Sequence, residues 1–216
     1  MNNREQIINN LLKRKISAII RTDKQEVAEQ AMQAAVDGGF RIVEFTLTTP
    51  GALNLITQFK KNNDLIVGAG TVMSSSIARD AVSAGAQFLV SPVCNLKVIQ
   101  EAKKLDVVSI PGTFTSTEME TAYNAGADFV KLFPAPGNIA EYVRFILGPM
   151  PYLKVFPTSG VNLNNMLDIL EAGAAGLGFV NSLFNEDMIL KKNYFSIRKQ
   201  AEAIIKRLNS FCEDDT

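Results

Sequence analysis

The sequence predicts a single (β/α)8 TIM barrel with an N-terminal helix ahead of the first strand. Three observations predict it. Eight short apolar runs, rich in Val, Ile and Phe, alternate with longer helical patterns through most of the 216 residues. The runs mostly lack apolar/polar alternation, as parallel strands do when both faces are covered. A glycine that ends a helical stretch just before a strand recurs at nearly even intervals, at Gly39, Gly85, Gly126 and Gly173. A doubly wound open sheet is the rival, and this repeat of four similar quarters favours the barrel.

The chain opens polar, Met1-Asn2-Asn3-Arg4-Glu5-Gln6, and then turns amphipathic, which gives the N-terminal helix. In order, the expected strands are Ile16–Ile20, Ile42–Leu47, Leu65–Val67, Phe88–Val90, Val107–Ile110, Phe129–Phe133, Leu153–Phe156 and Leu177–Val180. Between them, Lys24–Val36, Ser74–Ser83, Thr115–Tyr123 and Asn164–Leu170 repeat apolar residues at three and four, the helical period. Three of the four repeat glycines sit in Ala-Gly-Ala triplets, where Gly suits the left-handed residue that closes a helix. No Pro/Gly/Ser-rich linker divides the chain, so residues 1–209 are expected to form one domain. Residues 210–216 end in an acidic tail, expected to be disordered.

Composition removes several function classes. Lys plus Arg number 22 and Asp plus Glu number 22, so there is no basic excess for general nucleic-acid binding. Histidine is absent, which excludes Ser-His and Cys-His dyads and every His-containing metal site. The two cysteines, Cys94 and Cys212, build neither a zinc cluster nor a disulfide framework. Cys94 reads as a small buried residue and not a nucleophile. No segment has the length of apolar sequence that spans a bilayer and no signal peptide is evident. The expected compartment is the cytoplasm.

Two ionisable residues interrupt apolar strands: Glu44 in strand two and Lys131 in strand six. Alternation puts Ile42, Glu44 and Thr46 on one face of their strand and Phe129, Lys131 and Phe133 on one face of theirs. Both strands are even-numbered, and alternate strands of a barrel fill the same interior layer, so the two charges are expected to face each other. A buried Glu–Lys pair could merely close the barrel, but such pairs rarely improve on apolar ones, so chemistry accounts better for the desolvation cost. A desolvated lysine loses proton affinity and exposes a nucleophilic amine; a carboxylate beside it moves protons. That is the equipment for Schiff-base chemistry on a carbonyl compound. Lys154 is the internal control, since it opens strand seven and barrel chemistry sits at carboxyl ends. Lys60, Lys61, Lys103 and Lys104 fall in polar segments and read as solvated.

Two loops add polar features. Gly68-Ala69-Gly70-Thr71 follows strand three and reads as a tight turn or a weak phosphate signal. Pro157-Thr158-Ser159-Gly160 follows strand seven, ahead of a helix expected to start near Asn162, a position suited to an anion.

Together with Val43-Glu44-Phe45-Thr46-Leu47, Phe88-Leu89-Val90-Ser91-Pro92, Ile110-Pro111-Gly112 and Val130-Lys131-Leu132-Phe133-Pro134-Ala135, these segments carry a resemblance over residues 7–209. The chain resembles the 2-keto-3-deoxy-6-phosphogluconate (KDPG) / 4-hydroxy-2-oxoglutarate (KHG) aldolases, which are class I aldolases. The resemblance implies a cytoplasmic homotrimer acting on a small 2-oxo acid, with no metal, organic cofactor, nucleic acid or membrane partner. It implies Lys131 as the Schiff-base lysine and Glu44 as the general acid/base. Thr71, Pro92, Phe133 and Thr158 match positions lining the substrate pocket, Ser159 and Gly160 stand in the same substrate-binding loop where the family has Gly-Gly, and Arg21 matches an Arg that contacts substrate in some members. The sequence departs from the family at two recognition points. Thr48 replaces an Arg after strand two, and Asn181, following Val180, replaces a phosphate-binding Ser. The reaction so implied is cleavage of a 4-hydroxy-2-oxo acid to pyruvate and an aldehyde. A phosphate-binding barrel isomerase and a non-catalytic sugar-acid-binding barrel are the alternatives.

Overall fold

Helix α1 (Asn3–Arg14) leads into β1 (Ile16–Ile20), and the computed structural model describes residues 3–214. The further strands are β2 (Ile42–Thr46), β3 (Ile66–Gly70), β4 (Phe88–Val90), β5 (Val108–Ile110), β6 (Gly112–Thr113), β7 (Val130–Leu132), β8 (Val155–Pro157) and β9 (Leu177–Phe179). The helices between them are α2 (Gln25–Asp37), α3 (Ala52–Phe59), α4 (Ser75–Ser83), α5 (Leu96–Lys104), α6 (Ser116–Asn124), α7 (Ile139–Leu147) and α8 (Met166–Glu171). After β9 come α9 (Glu186–Leu190) and α10 (Tyr194–Asp214). The backbone is thus helical up to Asp214, where a disordered tail was expected from residue 210. Asp215 and Thr216 lie outside the described residues.

The fold is α/β with parallel strands throughout. A curled six-stranded sheet runs β5-β4-β3-β2-β1-β9, and a three-stranded sheet runs β6-β7-β8. The expected fifth strand is β5, and beyond Pro111, which has no N–H to give a ladder, an unexpected short strand β6 follows. The expected sixth strand is therefore β7. The Pro111 carbonyl still accepts from Lys131 N–H at 2.8 Å, and Thr113 O accepts from Phe133 N–H at 3.0 Å. At the opposite border, Thr158 forms a parallel bridge with Gly178 of β9.

The repeat seen in the sequence has a common geometry. Gly39, Gly85, Gly126 and Gly173 have φ of 110°, 107°, 95° and 99°. The next N–H in each case bonds back five residues, from Phe40, Ala86, Ala127 and Ala174 to the carbonyls of Ala35, Ala81, Ala122 and Ile169. This is the Schellman closure, and it turns each helix end into the following strand.

Strand alternation separates two cores. Ala18, Ile20, Val43, Phe45, Val67 and Leu89 pack outward against the helices. Ile42, Ile66, Phe88, Val108, Ile110 and Phe129 point inward, and Ile7 and Leu11 of α1 pack against them from below. Arg4 fastens α1 in that position. Its Nη2 and Nε lie 2.7 and 3.3 Å from the two Asp128 carboxylate oxygens, and Oδ2 also accepts from Ser109 N–H at 2.9 Å. Asp128 is only 8 % exposed. Asp128→Ala is therefore expected to cost about 1.5–3 kcal/mol, the range for hydrogen bonds to a charged group. Thermal unfolding checks this, since each kcal/mol lowers Tm by about 2–4 °C in a domain of this size.

Candidate active site

Glu44 is the inward residue at the centre of β2, and Lys131 the inward residue of β7; they are 3 % and 8 % exposed. Alternation sends their neighbours Val43, Phe45, Val130 and Leu132 outward against the helices, which leaves Glu44 and Lys131 facing the interior. Both line one small cavity, with Thr158 at the end of β8, Phe156 and Ser17. The pair therefore meets across the interior as the strand parity required. Lys154 is exposed, as the control required.

Electrostatics sharpen the chemistry. Burial pushes the Glu44 carboxyl above the ordinary 4.5, against the opposing pull of Lys131 and Arg21. Burial pushes the Lys131 ammonium below the ordinary 10.5; Glu44 opposes that fall and Arg21 adds to it. Glu44 and Lys131 are not among the ion pairs of the described residues, so their coupling acts through a gap and not a close contact. The Lys131 ammonium also lies 4.7 Å from the centroid of the Phe133 ring. The carboxylate and the aromatic face favour the ammonium, and burial, the larger influence, favours the neutral amine.

Arg21 leaves β1 at the mouth and is exposed, yet its charge reaches both buried groups. Thr48 is exposed and its hydroxyl lies 3.3 Å from that of buried Thr46. Thr49 Oγ1 lies at the same distance on the other side of Thr46 and accepts from Thr22 N–H at 3.2 Å. This hydroxyl cluster ties the β2 end to the segment after Arg21; sequence reasoning missed Thr46 and Thr49. Thr71 and Ser159 are non-glycine residues at φ of 61° and 74°, a strained region that clusters at functional loops. Pro92 is half-buried and its carbonyl presses on β6, where a Cβ on Gly112 would come within 2.4 Å of that oxygen.

The loop after β8 differs from expectation. Helix α8 begins at Met166, not near Asn162. The side chains of Asn162 and Asn165 take up the local N–H groups: Asn162 N–H gives to Asn165 Oδ1, and Asn164 N–H to Asn162 Oδ1, both at 2.8 Å. These donors are spent inside the turn. Ser159, Gly160 and Asn181 are exposed and do not line the cavity of the buried pair.

Gly68-Ala69-Gly70 also has a role other than phosphate binding. A Cβ on Gly70 would lie 2.0 Å from Glu44 Oε1, and one on Gly68 would lie 2.2 Å from the Phe88 ring. These glycines make room for inward side chains of neighbouring strands, and Gly70 is what lets Glu44 fit. A larger groove of ≈ 550 Å³ runs between residues 47–54, the loop after β2 and the start of α3, and α4. It contains neither Lys131 nor Glu44, so size does not mark the chemistry here.

Residues 7–200 match the family model for KDPG and KHG aldolase. The chain belongs to this family. The 2-dehydro-3-deoxy-phosphogluconate aldolase of Treponema pallidum is 33 % identical over 157 residues, 71 % of this chain and 74 % of that protein. The 2-dehydro-3-deoxy-6-phosphogalactonate aldolase of Escherichia coli K12 is 29 % identical over 192 residues, 88 % of this chain and 92 % of the relative. Among solved structures, the KDPG aldolase of Legionella pneumophila superposes with a TM-score of 0.77 at 27 % identity, covering 88 % of this chain and 93 % of that one. That enzyme holds pyruvate as a covalent carbinolamine. Within a KDPG/KHG aldolase, the buried amine and carboxylate found here are the groups such chemistry demands.

Cys94 is half-buried, and burial raises its thiol above the ordinary range, as suits an inert packing residue. Among the described residues, no group of three His, Cys, Asp or Glu side chains is placed to hold a metal ion. None of the described helices is long and apolar enough to cross a membrane.

Proposed function

We propose that the protein is a class I aldolase that cleaves a 4-hydroxy-2-oxo acid, KDPG or 4-hydroxy-2-oxoglutarate, to pyruvate and glyceraldehyde 3-phosphate or glyoxylate. The observation that carries the proposal is one buried cavity holding the Lys131 amine and the Glu44 carboxylate together. Lys131 Nζ adds to the C2 carbonyl, and an amine proton passes to the new C2 hydroxyl. Glu44 donates a proton as that hydroxyl leaves as water, and the iminium forms. The Glu44 carboxylate then removes the C4 hydroxyl proton, the C3–C4 electron pair moves into the iminium, and the aldehyde departs. The resulting enamine takes a proton at C3, and water hydrolyses the imine to pyruvate and free Lys131. Each assisted proton transfer contributes ~100- to 10,000-fold.

Residues 1–209 form one domain on this reading, a (β/α)8 barrel. The Thr158–Gly178 bridge and the continuation of β5 into β6 through Pro111 support closure at both borders. The active site opens at the carboxyl ends of the strands, where Arg21, Thr71, Pro92, Phe133 and Thr158 stand. The protein works as a cytoplasmic homotrimer, which sedimentation tests. An isomerase using Glu44 as base would leave Lys131 unmodified by substrate, so covalent trapping separates the two readings.

Substrate choice follows from the replaced recognition residues. An Arg clamps a carboxylate or phosphate with paired charged hydrogen bonds, and Thr48 does not. Such bonds contribute ~1.5–3 kcal/mol, roughly tenfold to a hundredfold in affinity. Arg21, whose charge reaches the site, is the compensating cation. Reduced preference for the phosphorylated substrate is therefore expected, with KDPG and 4-hydroxy-2-oxoglutarate cleaved at comparable kcat/KM. Thr48→Arg should raise the preference for KDPG and Arg21→Ala should lower turnover of both. A wild type that prefers KDPG by several orders of magnitude defeats this expectation.

A further inference from the structure

One inward residue has no place in the mechanism above. Ser17 lies on β1 between Ile16 and Ala18 and is 2 % exposed. Among the described residues, its Oγ is the one buried side-chain polar atom without a hydrogen-bond partner. It lines the same cavity as Glu44, Lys131 and Thr158. The register places it one layer below the reacting groups: Ser17 pairs with Ile42, and Ile19 with Glu44. On its other side Ser17 pairs with Gly178, which contributes no side chain to the interior.

Resting on the aldolase reading, we propose that Ser17 anchors one buried water on the floor of this cavity, and that the water hydrogen-bonds the Lys131–Glu44 pair from below. The cavity volume of ≈ 10 Å³ is at the size needed for one water, and a buried water takes two to four polar partners. Ser17, Glu44, Lys131 and Thr158 supply them. A serine hydroxyl left alone inside an apolar layer would be costly, whereas a water-bound one is satisfied. Ser17 is therefore a positioning residue that acts through the water.

The consequence concerns protonation. The titratable groups lining the cavity are Glu44 from β2 and Lys131 from β7, and the charge of Arg21 at the end of β1 acts on both. The other faces are apolar, with Leu11 from α1, Phe88 from β4, Ile110 from β5 and Phe156 from β8. A water below the pair stabilises both charged forms and keeps protons moving between the two groups. Without it, Lys131 falls further below its ordinary range and Glu44 rises further above its own.

The experiment measures pyruvate–borohydride trapping at Lys131 against pH, with aldol-cleavage kinetics, in wild type, Ser17→Val, Ser17→Ala and Ser17→Thr. Valine fills the floor, alanine removes the hydroxyl without adding an atom, and threonine keeps the hydroxyl but adds the same methyl to the floor as valine. The expected result is a lower pH midpoint for trapping in Ser17→Val and Ser17→Ala. In both, kcat should fall about tenfold, the size of one hydrogen bond, at nearly unchanged KM. Ser17→Thr, whose methyl takes the water's place, should behave like Ser17→Val, and a crystal structure of the wild type should show a water on Ser17 Oγ. Unaltered pH midpoint and kcat in Ser17→Ala overturn the proposal, as does a well-ordered floor with no water. Wild type that traps nothing at Lys131 at any pH removes the aldolase reading and this proposal with it; trapping that is intact but insensitive to Ser17 removes only the proposal.

Discussion

Lys131→Arg is expected to lose all covalent trapping by pyruvate and borohydride, with turnover down by on the order of 10⁴–10⁶, as when a covalent nucleophile is removed. Wild type should gain one reduced pyruvate group, at Lys131 alone. The selectivity has a physical source. Burial depresses the Lys131 ammonium below 10.5, so a larger fraction is neutral amine near neutral pH than for an exposed lysine. Arginine keeps the positive charge opposite Glu44 but offers no useful nucleophile. The variant should therefore stay folded, which circular dichroism checks, and activity of the wild type should survive a strong chelator. Mass spectrometry of the trapped protein decides the matter: an adduct spread over exposed lysines such as Lys60, Lys103 or Lys154 would overturn the assignment of Lys131.

This pair was legible in the sequence because a charge inside an apolar strand is expensive, and strand parity alone says which way it points. The eight apolar runs overlap β1 to β5 and β7 to β9, while the two-residue β6 was not visible, and the four capping glycines appeared as a repeat. What the sequence did not show has a common cause: it depends on distances between strands far apart in the chain. Gly70 looked like half of a phosphate loop because its role, room for Glu44 of the adjacent strand, appears only once β2 and β3 are in register. Helix α8 starts four residues later than expected near Asn162 because Asn162 and Asn165 bond each other's backbone and hold the chain in a turn. Ser17 left a faint signal, a hydroxyl among Ile16, Ala18 and Ile19, but only the cavity gives it meaning.

Glu44→Gln is expected to lower kcat by ~100- to 10,000-fold, because an amide of the same shape neither takes nor gives the proton. The same change should stabilise the protein increasingly as pH rises above the ordinary carboxylate range. The folded-state carboxyl is raised above 4.5 chiefly by burial, so the folded chain holds this proton to higher pH than the unfolded chain does. Stability contributed by the protonated form is accordingly lost as pH climbs from about the unfolded value through the folded one, and glutamine escapes that loss. The Tm difference between Glu44→Gln and wild type should therefore be small at acid pH and grow as pH rises. Gly70→Ala provides the contrast. Its Cβ would stand 2.0 Å from Glu44 Oε1, so the carboxylate must move and catalysis should fall with it. Here no buried charge is removed and a clash is added, so Tm should drop at every pH. An inactive but more stable Glu44→Gln beside an inactive and less stable Gly70→Ala would show that the site's cost lies in the buried charge and its function in where that charge is held. Near-wild-type turnover in Glu44→Gln would mean the proton is carried by another group, with Arg21 and the hydroxyl cluster of Thr46 and Thr49 the next to test.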